Sequence, residues 1–375
     1  MTQAAPAFRA DHIGSLLRPP ALLGARVQFD ADRIDEAALR AAEDEAIRGV
    51  VALQEAAGLE VVTDGEFRRD TYSDSFTTAG ISGVEIAVTE DEGWRQSATH
   101  GHRMARRIPK VTGKIAWQGP RNAADFAFLK GLTRRTAKVT LPGPAYIHYR
   151  TGREHISRDA YPDLDSFWSD LVAAYHREMR ALAEAGCTYL QIDETALVKL
   201  GDDRARDLLR ARGDDWQDLL RIYVDALNAV VAGAPQGLRV AIHVCRSQDP
   251  SWQATASYEP IADAMFNRIE IGAYLLEWDS PRAGSFEPLR HLPPGKRVVL
   301  GLVSAKSAEL ESADLLKRRI EEASRYAPLA QLGLSPHCGF STSAREADPA
   351  LYEMERRKLM RVVEVAREVW GDPGA

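Results

Sequence analysis

A fixed order of segments recurs along this chain: a helix-length amphipathic stretch, a glycine, and then a short apolar run. It occurs in residues 36–63, 165–192 and 216–244. Within the amphipathic stretches, apolar residues return at the spacing of one helical face, and a glycine after the last turn is a common helix-ending signal. Short apolar runs that alternate with helices predict parallel βαβ units.

Eight apolar runs are candidates for strands. They lie near residues 8–13, 59–64, 137–142, 188–193, 239–245, 268–276, 297–303 and 332–335. Eight parallel strands alternating with helices fit a closed barrel, and a chain that is 45% hydrophobic can fill its core. We therefore predict the α/β class and a (β/α)8 TIM barrel, with residues 1–375 as a single catalytic domain. A doubly wound sheet is the alternative, but no GxGxxG follows a strand.

One long stretch interrupts the alternation between the second and third predicted strands. Residues 78–120 contain an alternating part around Val111 and Ile115, together with a basic cluster. The cluster consists of His100, His102, Arg103, Arg106 and Arg107. We predict an inserted β excursion that covers the active-site face of the barrel. The alternative is a solvated basic surface.

Charge and cysteine content limit the partners and the compartment. The net charge is −6 without long basic runs, which argues against nucleic acid and anionic membranes and favours small molecules. The first residues do not resemble a signal peptide, and no apolar stretch is long enough to cross a bilayer, so we expect a cytoplasmic protein. The 3 cysteines are too few and too widely spaced for a disulfide framework and suggest a metal site.

The carboxyl ends of the predicted strands carry the reactive side chains, as expected at the catalytic face of a barrel. His243 and Cys245 are two residues apart on one strand, so they point to the same side as a chelating pair. Glu277 and Cys338 follow other strands and complete a donor set suited to zinc. The alternative is that the cysteines only pack in the core, as we expect for Cys187 at the opposite end of the barrel.

Carboxylates also gather at the predicted strand ends, at Glu66, Asp193 and Glu194. Such groups can hold a substrate ammonium or transfer protons. Surface solvation is the alternative for any one of them. For Glu66, which follows an apolar run and a glycine, we favour a functional role.

Six ordered motifs at these strand ends resemble the catalytic barrel of the cobalamin-independent methionine synthases, and more closely the short, single-barrel branch of that family. They are residues 8–15 (FRADHIGS), 63–69 (TDGEFRR), 190–194 (LQIDE), 243–246 (HVCR), 276–284 (LEWDSPRAG) and 335–340 (SPHCGF). The resemblance runs through nearly the whole chain. It implies a zinc-dependent thiol S-methyltransferase on a (β/α)8 barrel.

The resemblance implies that zinc is held by His243, Cys245, Glu277 and Cys338. Glu270 lies in the same predicted strand as Glu277 and is the alternative carboxylate. We prefer Glu277 because it falls at the C-terminal end of the strand. Zinc would lower the pKa of a coordinated thiol, so that the thiolate persists at neutral pH and attacks an alkyl carbon.

The resemblance also implies homocysteine as the acceptor, as in methionine biosynthesis. The substrate-binding residues would be Ile13, Gly14, Ser15, Glu66, Asp193 and Glu194. The main chain of residues 13–15 would bind the carboxylate, and Glu66 and Asp193 would bind the ammonium group. Asp193 is also a candidate catalytic residue.

Two departures from the family concern the alkyl donor. Lys306 stands where the family has a proton-relay histidine, so we predict that Lys306 transfers the proton or anchors an anionic donor, with His337 as the next candidate for proton transfer. The aromatic residue that stacks on folate is not in register, because His148, Tyr149 and Arg150 stand there. Both departures argue against methylfolate and leave the donor open.

Other functions would keep part of this site. Thiol alkylation like that of the epoxyalkane:coenzyme M transferases keeps the zinc thiolate but leaves Glu66 and Asp193 without an ammonium partner. A non-catalytic zinc barrel would bind a thiol metabolite or a protein, and a metal-free decarboxylase would leave the His/Cys pair without a role. The expected partners are a small-molecule thiol and an alkyl donor. A homo-oligomer and an accessory methyl-donor protein stay open.

Overall fold

The computed structural model of the protein describes residues 8–89, 106–246, 254, 257–341 and 349–372. The strands in these ranges are β1 (Val61–Val62), β2 (Val84–Thr89), β3 (Arg106–Val111), β4 (Thr136–Pro142), β5 (Tyr189–Glu194), β6 (Arg239–Val244), β7 (Ala273–Glu277), β8 (Arg297–Val303) and β9 (Leu332–Pro336). The α-helices are α1 (Pro20–Asp30), α2 (Glu36–Ala56), α3 (Asp74–Thr77), α4 (Arg121–Leu132), α5 (Ala145–Thr151), α6 (Leu164–Glu184), α7 (Leu197–Leu200), α8 (Asp203–Ala211), α9 (Trp216–Ala232), α10 (Ala313–Ser324) and α11 (Pro349–Trp370).

Seven parallel strands form one curled sheet in the order β1-β4-β5-β6-β7-β8-β9. The gap between β9 and β1 is closed by the segment near the N-terminus. Ala10 pairs with Leu334 of β9 through a parallel bridge, and on the other side the Leu16 N–H donates to the Gly65 carbonyl at 3.1 Å. The predicted α/β class and (β/α)8 fold are confirmed, with the first predicted strand reduced to this bridge.

The three amphipathic helices predicted from periodicity are confirmed as α2, α6 and α9. Each begins at an aspartate whose side chain accepts a backbone N–H of the first turn: Asp35, Asp163 and Asp215. Gly58, just after α2, has a φ of 87°, which side chains rarely adopt, so glycine ends this helix as predicted.

The strand predicted near 268–276 is wrong in its first half. Residues Ala264–Arg268 form a π-helical turn and β7 begins only at Ala273. The buried ammonium of Lys296 donates to the carbonyls of Phe266 and Ile269, at 2.7 and 2.5 Å. These bonds give partners to backbone carbonyls in and just after the turn, which lie outside the ladder of the sheet.

The excursion between the second and third barrel strands, β1 and β4, is confirmed as a β structure. Strands β2 and β3 pair antiparallel, with Val84 opposite Val111, and β3 packs against α5. Most of the predicted basic cluster, including His100, His102 and Arg103, lies outside the described residues. Whether the excursion covers the catalytic face stays a prediction.

Apolar and polar layers divide the inside of the sheet. Toward the amino ends of the strands, a small cluster that includes Val61, Ala273 and Val299 fills the interior, whereas polar side chains from β4, β5 and the N-terminal segment occupy the next level. Polar groups inside a barrel need partners there, and these interior residues lie next to the candidate site. No helix in the described part of the chain is long and apolar enough to cross a membrane.

Candidate active site

Four side chains predicted as metal ligands come together at the carboxyl end of the sheet. His243 lies near the end of β6 and Cys245 just after it; Glu277 ends β7, and Cys338 follows β9. The ligand atoms of all four lie within 4.8 Å of one another. The two sulfurs are 3.7 Å apart, Cys338 Sγ is 3.8 Å from His243 Nε2, and that nitrogen is 4.0 Å from Glu277 Oε1.

These spacings fit one tetrahedral zinc ion. With Zn–S bonds of about 2.3 Å and Zn–N bonds of about 2.1 Å, tetrahedral ligands would be about 3.8 Å apart for two sulfurs and about 3.6 Å for sulfur and nitrogen. The sulfur pair and the Cys338–His243 pair match within about 0.2 Å, while Glu277 would have to move slightly inward. Thiolate, imidazole and carboxylate are also the donors that zinc accepts.

Neighbouring groups hold the cluster in position. The Nδ1 of His243 is 3.2 Å from the Leu275 carbonyl. When Nδ1 carries the proton and donates it there, Nε2 is left as the acceptor that faces the cluster. The backbone N–H of Arg246 donates to Glu277 Oε1 at 2.7 Å, and the N–H of Cys245 donates to the Glu194 carbonyl at 2.9 Å. Three of the four residues are thus bonded to neighbouring backbone groups.

The close approach of these side chains, together with their burial, shifts the pKa values of three of them. The hydrogen bond from Cys245, together with His243, holds the pKa of Cys338 well below its usual range in spite of burial. Burial opposes protonation of His243, but its contact with Cys338 and the nearby carboxylates raise its pKa to about 9. Burial and the Cys338 charge raise the pKa of Glu277 to about 8. A thiolate and an imidazolium side by side are groups that a cation could bridge by displacing the proton.

The alternative carboxylate Glu270 and the third cysteine, Cys187, lie away from the cluster. Glu270 is exposed, before the beginning of β7, whereas Glu277 is in the cluster. Cys187 is buried before the start of β5 and its thiol donates to the Tyr189 carbonyl at 3.4 Å; burial raises its pKa to about 12. As expected, this cysteine packs far from the other two.

Asp193 lies directly beside the metal-binding candidates, because it pairs with His243 in the β5–β6 register. Its Oδ1 accepts a hydrogen bond from the Gln191 amide at 2.7 Å. Burial raises its pKa to about 7; the charge of His243 opposes this rise, and that of Glu66 adds to it. A buried carboxyl that titrates near neutrality can hold a cationic group or exchange a proton.

Glu66 approaches the same interior from the loop after β1. Its φ is 61°, a left-handed conformation that is uncommon outside glycine. The Thr140 hydroxyl donates to its Oε1 at 2.7 Å, and the Arg69 guanidinium is 3.6 Å away. Strained backbone held by several side chains is common at functional sites, and here it aims a carboxylate into the barrel.

The N-terminal motif borders this carboxylate. At Gly14, with a φ of 132°, a side chain would meet Thr140 at 2.8 Å and Glu66 at 3.4 Å, so only glycine fits. Ile13 is buried. The Ser15 carbonyl accepts from the N–H of Phe340 at 2.9 Å, which joins the segment to the loop that carries Cys338.

Glu194 differs from the other predicted carboxylates. Its Oε1 accepts the backbone N–H groups of Ala196 at 2.6 Å and Leu197 at 3.3 Å. The residue therefore caps the start of α7, and burial raises its pKa to about 7. One of its two oxygens thus has a local structural partner.

Lys306 and His337 lie beside the Cys338 loop. Lys306 is exposed, and its ammonium donates to the Gly339 and Phe340 carbonyls in partly buried hydrogen bonds of 3.1 and 3.2 Å; burial lowers its pKa. His337 is buried, and its Nδ1 accepts the Ala305 N–H at 3.0 Å, which leaves Nε2 as the protonated nitrogen of the neutral ring. Its Nδ1 is also 3.7 Å from Asp279.

Sequence reasoning did not single out Tyr72 and Lys199, and it noted Arg150 only as a departure from the family at the folate-stacking position. The Tyr72 hydroxyl is 3.3 Å from that of Thr195, and its ring packs edge-on to Tyr146 at 5.6 Å. Arg150 is on α5 and Lys199 on α7, the helices that follow β4 and β5. Their position several residues beyond the strand ends, rather than at them, explains the omission.

The comparisons with known proteins identify the family of this chain. A family model described as the catalytic domain of cobalamin-independent synthase matches residues 8–367. The Bacillus subtilis protein YxjH is 36% identical over 366 residues, 97% of this chain and 95% of its own. A methionine synthase of Pyrococcus abyssi is 26% identical over 365 residues, 97% of this chain and 93% of its own.

Solved structures give the same result. A protein of Listeria monocytogenes that was assigned as a vitamin-B12-independent methionine synthase superposes with a TM-score of 0.75 and 32% identity, and the match covers 99% of this chain and 100% of that one. These matches define a barrel methyltransferase. The chain belongs to the cobalamin-independent methionine synthase family.

Proposed function

We propose that this protein transfers a methyl group to the thiol of homocysteine and forms methionine, with one zinc ion bound by His243, Cys245, Glu277 and Cys338. The observation that carries the proposal is the proximity of this donor set to Asp193, which pairs with His243 across two strands. If the thiol of homocysteine were bound at the cluster, the amino group of the same molecule would lie near the carboxylates in the barrel interior. Family membership supports the reaction class.

Zinc bound here would lower the pKa of the substrate thiol, so that the thiolate is present at neutral pH. The protein's own residues supply orientation. Glu66 and Asp193 would bind the substrate ammonium, and the backbone of Ile13, Gly14 and Ser15 would bind its carboxylate. Holding sulfur and alkyl carbon in line is worth several orders of magnitude in rate.

Lys306 and His337 are the residues proposed to serve the leaving group. The Lys306 ammonium lies beside the Cys338 loop, where it donates to the Gly339 carbonyl, and it could protonate the departing donor or bind an anion on it. Lys306→Met separates the two roles. Loss of a basic-limb ionisation in kcat indicates proton transfer, and a raised donor KM with an unshifted profile indicates anchoring.

We also propose that all 375 residues form one catalytic domain and that the β2–β3 excursion lies over its active-site face. The packing of β3 against α5 supports this position, since α5 begins where β4 ends. Excluding water there would protect the thiolate from competing reactions.

The direct experiment is methionine formation by the zinc-loaded protein. Homocysteine is incubated with a panel of methyl donors, and the products are identified by mass spectrometry before and after removal of zinc by a chelator. The proposal expects methionine from at least one donor and its loss on chelation. Tight zinc and homocysteine binding without turnover on any donor would instead indicate a non-catalytic thiol-binding barrel.

A further inference from the structure

A buried amide inside the sheet connects the two halves of the proposed substrate site. Gln191 lies in the middle of β5 and is 0% exposed. Its Nε2 donates to the carbonyl of Ile13 and to Oδ1 of Asp193, both at 2.7 Å. Ile13 belongs to the segment proposed to bind the substrate carboxylate, and Asp193 is one of the two carboxylates proposed to bind the ammonium. One side chain is therefore bonded to both halves.

The orientation of this amide is fixed by Lys138. The Lys138 ammonium, which can only donate hydrogen bonds, lies 2.9 Å from Gln191 Oε1 and is itself paired with Asp11 at 2.8 Å. Turning the amide by half a rotation would place its NH2 group against this ammonium and its oxygen against two acceptors. Both amide hydrogens are thus directed at Ile13 and Asp193.

These two hydrogen bonds set the direction of groups that would meet the substrate. Asp193 follows Gln191 by two residues, so both side chains are on the same side of β5. The bond to Oδ1 restrains the rotation of the Asp193 carboxylate. In a trans peptide the N–H of Gly14 points away from the Ile13 carbonyl. The bond to Ile13 therefore also sets the direction of one backbone N–H in the segment proposed to bind the carboxylate.

A second buried glutamine differs from Gln191 in the partners of its amide. Gln54 is also 0% exposed. Its Nε2 donates to the Val50 and Thr63 carbonyls at 2.9 and 2.8 Å, and its Oε1 accepts the Thr63 N–H at 2.9 Å. All three partners are backbone groups, so this amide joins α2 to the segment after β1. Gln191 instead gives one of its hydrogens to a carboxylate that the proposed function uses.

We propose that Gln191 is a positioning residue that makes this site selective for thiols that carry both an ammonium and a carboxylate group. The inference rests on the proposed function and specifies what determines its thiol substrate. Gln191 acts through Asp193 and Ile13 rather than on the substrate itself. Without the amide, both partners lose a fixed direction, and binding of the amino-acid part of the substrate weakens because it must order them.

Methionine and two analogues test both halves without turnover or a methyl donor. The analogue 4-(methylthio)butanoate lacks only the amino group, and 3-(methylthio)propylamine lacks only the carboxylate. By calorimetry with the zinc-loaded wild type, we expect methionine to bind at least about tenfold more tightly than either analogue, as for one charge-assisted contact. In Gln191→Met both affinity ratios should fall to about threefold or less. General damage to the fold would weaken all three ligands and leave the ratios unchanged.

Gln54→Met is the matched control, because it removes an equally buried amide with the same number of hydrogen bonds. It should keep both wild-type ratios. Gln191→Glu is the second variant in case Gln191→Met does not fold, since it keeps an oxygen for Lys138. Its new carboxyl group can donate at most one hydrogen where the amide donates two, so at least one ratio should fall.

A double-mutant cycle tests whether Gln191 acts through Asp193. Asp193→Asn alone should remove most of the preference for methionine over 4-(methylthio)butanoate. Adding Gln191→Met to Asp193→Asn should then change this ratio by less than about twofold, because residues that act through one contact are not additive. Additive losses would show that Gln191 does not act through Asp193 and would overturn the positioning role.

The remaining outcomes separate this inference from the proposed function. Wild-type ratios in Gln191→Met, or the same loss in Gln54→Met, overturn the positioning role even if the protein forms methionine. If no donor yields methionine but the binding pattern holds, the proposed function fails and the positioning role stands. If the wild type binds all three ligands alike, the positioning role is overturned, and methionine formation decides the proposed function on its own.

Discussion

The metal-binding candidates and the polar network inside the barrel contrast in how their polar atoms are satisfied. The four ligand atoms at the ends of β6, β7 and β9 face one another. A level below, the Lys138 ammonium donates to Asp11 at 2.8 Å, to Gln191 at 2.9 Å and to the His12 carbonyl, and the Tyr189 hydroxyl donates to Asp11 at 2.7 Å. The network is closed by its own hydrogen bonds, whereas the cluster brings together four ligand atoms that could hold a cation.

This contrast separates stability from function. A fully paired buried network holds the strands in register, and removing one member leaves charges without partners. A cluster of unbridged donors contributes little to folding without its ion and gains its stability from binding. Substitutions in the two regions should therefore affect different measurements.

The largest effect on stability should come from Lys138→Met. It leaves the Asp11 carboxylate without its ion pair at a fully buried position, which costs about 3–5 kcal/mol. Urea unfolding of the wild type and the variant measures this. Stability within about 0.5 kcal/mol of the wild type would show that the network is not what holds the interior together.

The carboxylate of the cluster provides the next largest effect. Glu277→Gln should weaken zinc binding by about 10–100-fold, because the carboxamide is a poorer ligand than the carboxylate. The carboxamide oxygen can still accept the Arg246 N–H, so the local structure should be kept. Glu270→Gln is the matched control from the same segment and should bind zinc like the wild type. Competition with a chelator gives both affinities. The reverse order would assign the ligand to Glu270.

Glu66 and Asp193 lie between the metal-binding candidates and the polar network. Their substitution tests whether substrate binding and zinc binding can be changed separately. Glu66→Gln and Asp193→Asn should each lower kcat/KM for homocysteine by roughly 10–100-fold, which corresponds to about 1.5–3 kcal/mol for a charge-assisted contact. Zinc content should stay at the wild-type level in both. If zinc is lost together with activity, these residues belong to the metal site rather than to the substrate site.

Glu355 lies outside both regions, and its substitution should have a smaller effect on stability, one that depends on pH. Burial raises its pKa to about 8, and its Oε2 accepts the Leu17 N–H at 2.8 Å. Because the folded pKa exceeds the unfolded one, ionisation destabilises the folded state: the cost is absent below about pH 4 and complete above about pH 8. Glu355→Gln should therefore gain stability relative to the wild type as pH rises between these values, by about 1–2 kcal/mol after relaxation. If the stability difference between Glu355→Gln and the wild type does not change with pH, burial does not raise the pKa of Glu355.

Sequence reasoning predicted the elements that depend on local signals. The helices α2, α6 and α9 follow from periodicity and capping, and the His243–Cys245 pair follows from the two-residue repeat of a strand. The rest depends on distant contacts. The carbonyls in and after the turn before β7 are bonded by Lys296, a residue far along the chain, and Glu194 caps α7 only because the chain turns directly after β5.

The most direct test of the account is the zinc content of three purified proteins: the wild type, Cys338→Ser and Cys187→Ser. The two substitutions are chemically identical and both affect buried cysteines. We predict about one zinc ion per chain in the wild type and in Cys187→Ser, and a large loss in Cys338→Ser, since one ligand of four is removed. Full zinc occupancy in Cys338→Ser, or none in the wild type, would contradict the metal site at the carboxyl end of the barrel.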